Sequence, residues 1–251
     1  MIEIIGLNKS FGENQVLRNI DVVFEEGKSN LLIGASGSGK TTLCKCTVGL
    51  HQPDTGTISY NGRIFNQMSH NEKKEIRREI GFLFQGSALF DYMTVEENVM
   101  FPIKMFSNLT TKEAKKRVDF CLERVDLKGV NKLMPSELSG GMKKRVGIAR
   151  AISAKPKYLF CDEPNSGLDP QTSILIDNLI KEITHEYKMT TVVITHDMNS
   201  VLEIGEHISF IYKGDMLWDG TNKEVLDTTS TELTDFVYAS SFMKELKRMN
   251  G

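Results

Sequence analysis

The chain has 251 residues, 40% of them hydrophobic and 25% charged, enough to bury a sizeable core without a metal or disulfide staple. A formal net charge of −2, a pI near 6.2 and no basic block at either end give no electrostatic case for nucleic acid. The four cysteines, Cys44, Cys46, Cys121 and Cys161, fit no paired metal-ligand spacing, and no apolar run approaches the roughly 18 residues of a membrane span; a reduced, soluble, cytosolic protein that reaches any membrane through a partner is expected.

The start, MIEIIGLNKSFG, lacks the charged-then-apolar layout of a secretory leader and reads as a first strand. Residues 2–7 and 16–24 are strand-like, and Ser59-Tyr60 with Arg63-Ile64-Phe65 flank Asn61-Gly62, a strong short hairpin signal, so the N-terminal part is largely antiparallel. Between them Asn30-Leu31-Leu32-Ile33 is a short apolar strand, followed by a glycine-rich loop and a helical stretch through Val48. Two later apolar runs, Tyr158 to Cys161 and Thr191 to Ile194, end in polar residues as strands of a ligand-binding parallel sheet do. From about Gly86 to Ser153 the pattern turns helical, with Ala114, Val118, Cys121, Leu122 and Val125 at helical spacing. Residues 172–186 give another amphipathic helix on Ile176, Leu179, Ile180 and Ile183. A final hairpin, His207 to Tyr212 and Met216 to Trp218 about Lys213-Gly214, precedes a helical stretch from Glu232 to Met249. The resulting expectation is one α/β domain over residues 1–251. Residues 1–85 and 154–251 form a parallel-sheet core with an N-terminal antiparallel β subdomain, and residues 86–153 form an inserted α-helical subdomain.

Gly34-Ala35-Ser36-Gly37-Ser38-Gly39-Lys40-Thr41, with Thr42 behind it, matches G-x-x-x-x-G-K-[ST] between a strand and a helix. Small residues let backbone N–H groups wrap a polyphosphate at a helix N-terminus. Lys40 would neutralise β/γ-phosphate charge, and the Thr41 hydroxyl would hold Mg²⁺. The strand Tyr158-Leu159-Phe160-Cys161 delivers Asp162, placed to reach the magnesium shell, and Glu163, placed as general base for an attacking water. Gln85, after the strand Ile80 to Phe84, can touch the metal and a moving subdomain together. His196, at the end of another core strand, can hydrogen-bond the γ-phosphate. Leu138-Ser139-Gly140-Gly141-Met142 opens a helix over Lys143 to Ser153, so the Ser139 hydroxyl and the Gly140 and Gly141 N–H groups make a second anion grip. Two grips on one chain, one on the core and one on the helical insert, suit head-to-tail pairing of two copies around two ATP molecules. The remaining histidines read as structural, and the cysteines as small core residues, Cys44 and Cys46 facing different ways on one helix.

In their order and spacing, the phosphate loop, Gln85, the LSGG segment, the YLFCDEP strand, Ser166-Gly167-Leu168-Asp169 and His196 resemble the nucleotide-binding domains of ABC transporters over nearly the whole chain. The resemblance implies a P-loop NTPase fold with a RecA-like core, ATP and Mg²⁺ as ligands, a homodimer and a membrane permease as partners, and residence on the cytoplasmic face of the inner membrane. It also implies that Phe11 stacks on adenine and that Asp169 links the two sites across the dimer; read without it, Phe11 would be ordinary core. LSGGM departs from the family's usual LSGGQ and removes one amide at position 142. With Lys132-Leu133-Met134-Pro135-Ser136-Glu137, the run from Phe84 to Asp91, Thr94-Val95-Glu96-Glu97-Asn98-Val99 and Phe101-Pro102, it is similar to the phospholipid-trafficking, Mla-like ATPases associated with mammalian-cell-entry domain proteins. A lipid-binding protein of that kind is then a further partner, though amino-acid transporter ATPases share the T-V-x-E-N-V pattern. Phe90, Tyr92 and Met93 suit either a permease-docking groove or the subdomain's own core. A non-transport ABC ATPase and a P-loop kinase or GTPase are the rivals. The first usually carries a second cassette, coiled-coil insertions or basic surfaces, and the second leaves LSGGM and His196 unexplained.

Overall fold

The computed structural model describes residues 1–239, so most of the helical stretch expected up to Met249 lies outside them. In chain order the elements are β1 (Ile2–Phe11), β2 (Asn14–Phe24), β3 (Ser29–Ile33), α1 (Lys40–Thr47), β4 (Thr55–Tyr60), β5 (Arg63–Ile64), α2 (His70–Arg78), β6 (Ile80–Leu83), α3 (Val95–Phe106) and α4 (Thr111–Arg124). They continue with α5 (Gly140–Ser153), β7 (Tyr158–Asp162), α6 (Pro170–Tyr187), β8 (Thr190–Thr195), α7 (Met198–Ile204), β9 (His207–Tyr212), β10 (Asp215–Gly220) and α8 (Thr231–Val237). The described residues divide into two compact units, Met1–Glu25 with Ser29–Asn66 and the described residues from Ile194 onward, and Glu26–Lys28 with Gln67–Val193.

In the first unit β2, β1, β4 and β5 form an antiparallel sheet. Along β2, Leu17, Ile20, Val22 and Phe24 are buried between exposed neighbours, the alternation of a sheet with one dry face. Asn61 and Gly62 both have positive φ, 47° and 76°, the backbone that a two-residue hairpin turn requires. β3 is buried throughout and pairs in parallel with β9, which returns antiparallel to β10 about Lys213-Gly214.

In the second unit β6 pairs in parallel with β7, from Ile80↔Tyr158 to Leu83↔Cys161, and β8 lies beyond β7. Helices α3, α4 and α5 share a core of Val95, Val99, Val118, Leu122, Val146 and Ile148. α5 comes so close to β6 that a Cβ on Gly81 would stand 2.4 Å from the Ala151 carbonyl oxygen, and one on Gly147 would stand 2.7 Å from Leu83 Cδ1. The helical expectation from Gly86 onward is corrected here, because residues 84–94 and 125–139 lie outside the α-helices. Asn98, fully buried, fixes the first of these stretches: its Oδ1 accepts from Phe90 N at 2.8 Å, and its Nδ2 donates to the carbonyls of Phe90, Met93 and Thr94. Among the described residues all four cysteines are buried, and no helix is long and apolar enough to cross a membrane.

Three helices of this unit begin with the same device. Ser69 with Glu72, Thr94 with Glu97 and Thr110 with Glu113 form capping boxes at α2, α3 and α4, satisfying N–H groups that a helix start leaves unpaired. The hydroxyl and backbone N–H of the cap residue hold each glutamate below its ordinary pKa: for Glu72 and Glu113 the hydroxyl leads, for Glu97 the N–H of Thr94. A folded-state pKa below the unfolded one gives stability that is complete above about pH 4.3 and disappears as pH falls through the depressed folded values. Urea unfolding followed against pH should therefore show an acid limb that flattens when Glu72, Glu97 and Glu113 are all replaced by glutamine, with the midpoint near neutral pH falling more than that near pH 3.

Candidate active site

The first unit carries the phosphate loop between β3 and α1. Gly34 and Gly39 have φ of 150° and 113°, and a Cβ on Gly34 would lie 2.2 Å from the Ile211 carbonyl oxygen, so this turn admits no side chain there. Gly39 is also the N-cap of α1 and offers no side-chain cap, and the first turn of α1 carries no acidic residue, so the helix start is not answered by a carboxylate of its own. Lys40 is buried, and its ammonium donates to the carbonyls of Gly34 at 2.7 Å and Ala35 at 3.0 Å. The buried Ser38 hydroxyl has no partner among the described residues. An uncapped helix start, a lysine ammonium and an orphaned hydroxyl around a cradle too tight for a Cβ fit a polyphosphate. Ala35, Ser36, Gly37 and Thr41 are exposed, and Thr42 is half-buried. Phe11, expected on sequence grounds alone to be core, is 47% exposed, standing edge-on to His51 at 5.3 Å with Lys9 over its ring. His196 follows β8 exposed, while the next residue, Asp197, caps α7 by accepting from Asn199 N.

In the second unit Asp162 ends β7 half-buried, and Glu163 follows it with φ 49°, a left-handed backbone uncommon for any residue but glycine. Gln85 leaves the end of β6 exposed. The backbones of Gln85 and Glu163 are brought together by Lys144, whose ammonium donates to the carbonyl of Gln85 and, at 3.2 Å, to that of Glu163. Sequence reading passed over Lys144 because it sits beside Lys143 and Arg145 in a run that looks solvated; the period of α5 puts Lys144 with Ala151 on one stripe, the signal that was available.

The same unit joins the LSGG segment to Asp169. Ser139 is the N-cap of α5, its hydroxyl oxygen accepting from Met142 N at 3.3 Å, which leaves its O–H to donate elsewhere. α5 begins at Gly140, earlier than the expected Lys143, so both glycines lie in its first turn. Asp169 caps α6, accepting from Thr172 N at 3.0 Å and from the Thr172 hydroxyl at 2.6 Å, and these bonds, the hydroxyl's first, hold its carboxyl below the usual range. Ser139, Gly140, Gly141, Arg145, Asp169 and Thr172 share the lining of a cavity of about 260 Å³. Tyr92 is exposed, whereas Phe90 is half-buried against Phe101 at 4.9 Å, so of the two expectations Phe90 serves the subdomain core.

A glycine loop between a buried strand and an open helix start, within an α/β fold with parallel strand pairing, defines a P-loop NTPase. Residues 17–166 match the ABC transporter family, and the chain belongs to it as an ATP-binding, ATP-hydrolysing member. It is 34% identical over 241 residues to the intermembrane phospholipid transport system ATP-binding protein MlaF of Haemophilus influenzae, covering 96% of this chain and 91% of that one. To the methionine import ATP-binding protein MetN of Haemophilus ducreyi it is 37% identical over 250 residues, 98% of this chain and 72% of that one. A dimeric ATP-binding cassette in a post-hydrolysis state, bound to ADP and Pi, superposes with a TM-score of 0.81 at 31% identity, covering 88% of this chain and 99% of that one.

The loop's backbone makes a sharp prediction. Gly39→Ala would place a Cβ 2.8 Å from Leu17 Cδ2 on a φ of 113°, so ATP affinity, read by titration of a fluorescent ATP analogue, should fall about tenfold or more.

Proposed function

We propose that two copies of this chain close around two ATP molecules on the cytoplasmic face of the inner membrane and drive a permease that moves phospholipid. The observation that supports pairing is the cavity bounded by Ser139, Gly141 and Asp169. At about 260 Å³ it falls short of the roughly 300 to 1,000 Å³ usual for ligand pockets, and a facing copy would supply the remaining wall. The dimeric cassette that this fold superposes on agrees with that arrangement. For the cargo, the supports are the likeness to MlaF and the Lys132–Met142 segment with its terminal methionine, and a lipid-binding mammalian-cell-entry-domain protein would be the further partner. The comparable likeness to MetN supports a second reading, an amino-acid transporter.

In this reading the backbone from Gly34 to Thr42 wraps the β- and γ-phosphates, Lys40 offsets their charge, and Phe11 stacks on adenine. Thr41, Asp162 and Gln85 are the residues that would hold Mg²⁺, which when bound neutralises charge developing on the phosphate oxygens. Glu163 takes the proton of the attacking water as its oxygen bonds to the γ-phosphorus and the bond to ADP breaks. His196 hydrogen-bonds the γ-phosphate, while Ser139, Gly140 and Gly141 donate to the phosphates held by the partner copy, with Asp169 linking the two sites. Loss of the γ-phosphate removes the contact that favoured closure. The bulk charge and the absence of a basic patch in the sequence favour no nucleic-acid partner.

Glu163→Gln keeps the shape and removes the base, so ATP binding should persist while turnover falls about a hundredfold or more and an ATP-dependent dimer accumulates in size-exclusion light scattering. A variant that stays monomeric in ATP and Mg²⁺ and turns over normally would sink the assignment. Purifying the wild-type chain from gently solubilised membranes of its native cell tests the cargo. Recovery with a permease and a lipid-binding single-span protein supports phospholipid transport; a permease with a soluble amino-acid receptor replaces the cargo, and ribosomes or DNA overturn transport altogether.

A further inference from the structure

Helix α5 does more than present the LSGG segment at its start. Lys144, Gly147 and Ala151 form one stripe that lies along β6 and the loop beyond it, Gly147 meeting Leu83 and Ser87 and the Ala151 carbonyl meeting Gly81. Two cations of α5 are buried at this contact, Lys144 at 5% exposure and Arg150 at 7%. Arg150 donates to the carbonyls of Ser87 at 2.6 Å and Ala88 at 2.7 Å, two non-glycine residues held at φ of 61° and 45°. Lys144 donates to the carbonyl of Gln85 and reaches across to that of Glu163, itself at φ 49°. The loop after β6 and the turn after β7 are thus both in backbone conformations that ordinary residues resist, and one ammonium spans them.

We propose that Lys144 is a positioning residue for ATP hydrolysis, its ammonium tying the carbonyls of Gln85 and Glu163 so that the Glu163 carboxylate keeps its aim only while the Gln85 loop is seated. The inference rests on the assignment of Glu163 as the base. A lysine here is costly, since burial pushes its ammonium below the ordinary range, against the pull of nearby Cys161, Glu163 and Asp162. An apolar side chain of the same length would avoid that cost but withdraw a donor from both carbonyls, so the cation is kept for the two contacts it makes. What the cation adds is three-way geometry, because its donors serve two loops at once from a helix that neither belongs to.

Lys144→Met keeps length and bulk while removing the donors. The expected result is a kcat for ATP hydrolysis lower by about ten- to a hundredfold, with the KM for ATP within about twofold and a melting temperature no lower than the wild type. In a double-mutant cycle with Glu163→Gln, the methionine change should lower the residual turnover no further, since its effect passes through that carboxylate. If Glu163→Gln abolishes turnover while Lys144→Met leaves kcat intact, or if the two losses multiply in full, the positioning role is overturned and the base assignment stands. If Glu163→Gln turns over normally, the base assignment itself has failed. Lys144→Gln, too short to span both carbonyls, goes through the same cycle with the same expectation and decides the matter should the methionine variant not fold.

Discussion

The close approach of α5 to β6 is the constraint on which the second unit's chemistry depends. Two glycines permit it, and the helix then brings its own carbonyl at Ala151 to within van der Waals contact of the strand backbone. With no room for side chains at Gly81 and Gly147, α5 and β6 are held at one distance and one phase, because packed interiors do not deform continuously. That fixed phase is what lets a lysine and an arginine on α5 reach backbone oxygens beyond the strand end and not solvent. The loop they hold carries Gln85, and the turn reached by the same lysine carries Glu163, so the geometry of two candidate site residues is inherited from a packing contact made by neither.

A second constraint is electrostatic and concerns helix starts. Each α-helix presents N–H groups without intrahelical partners, together with a partial positive charge. At α2, α3 and α4 the protein fills that position with a glutamate of its own, and at α6 and α7 with an aspartate. α1 is treated differently: its N-cap is a glycine with no side chain to offer, and the loop around it carries the Lys40 ammonium, bonded to the Gly34 and Ala35 carbonyls, and the buried Ser38 hydroxyl, which has no partner among the described residues. A helix start without a side-chain cap, with a lysine ammonium beside it, suits an anion. Ser139 at α5 is intermediate, capping with its oxygen while retaining a proton to donate. α8 is capped in the same way by the Ser230 hydroxyl, so among the described α-helices the start without a side-chain cap is that of α1, behind the glycine loop.

Much of this was legible in the sequence where local chemistry decides the outcome. The Asn61-Gly62 hairpin, the buried strands that lead into the phosphate loop and Asp162, and the amphipathic helix expected over residues 172–186 and found as Pro170–Tyr187 follow from turn chemistry and periodicity. Less legible were features that need a partner distant in the chain. The stretch from Gly86 to Met93 was expected as helix, yet Ser87 and Ala88 sit in left-handed conformations because Arg150, more than sixty residues later, holds their carbonyls. Lys144 looked solvated for the same reason, and α2 went unseen although Ser69 and Glu72 spell out its capping box. Phe11 is the reverse case. Composition alone makes it core, whereas the resemblance placed it at a ligand, and its exposed ring beside His51 suits the latter.

Met142 shows how such a site accommodates change at a position that the family usually fills with an amide. The contact that organises the start of α5 uses the backbone N–H of Met142, accepted by the Ser139 hydroxyl, and a backbone N–H is indifferent to the side chain it carries. Replacing a glutamine by a methionine therefore leaves the cap, the helix start and the two glycines of the grip in place, while exchanging a hydrogen-bonding group for a flexible, polarisable apolar one. The side chain is half-buried and does not line the cavity shared by Ser139 and Asp169. The change thus falls on the margin of the segment, where it can alter how a facing surface fits without touching the donors proposed to hold phosphate. The donors proposed to hold phosphate are backbone N–H groups and a hydroxyl, so a side chain at such a margin can vary without removing any of them.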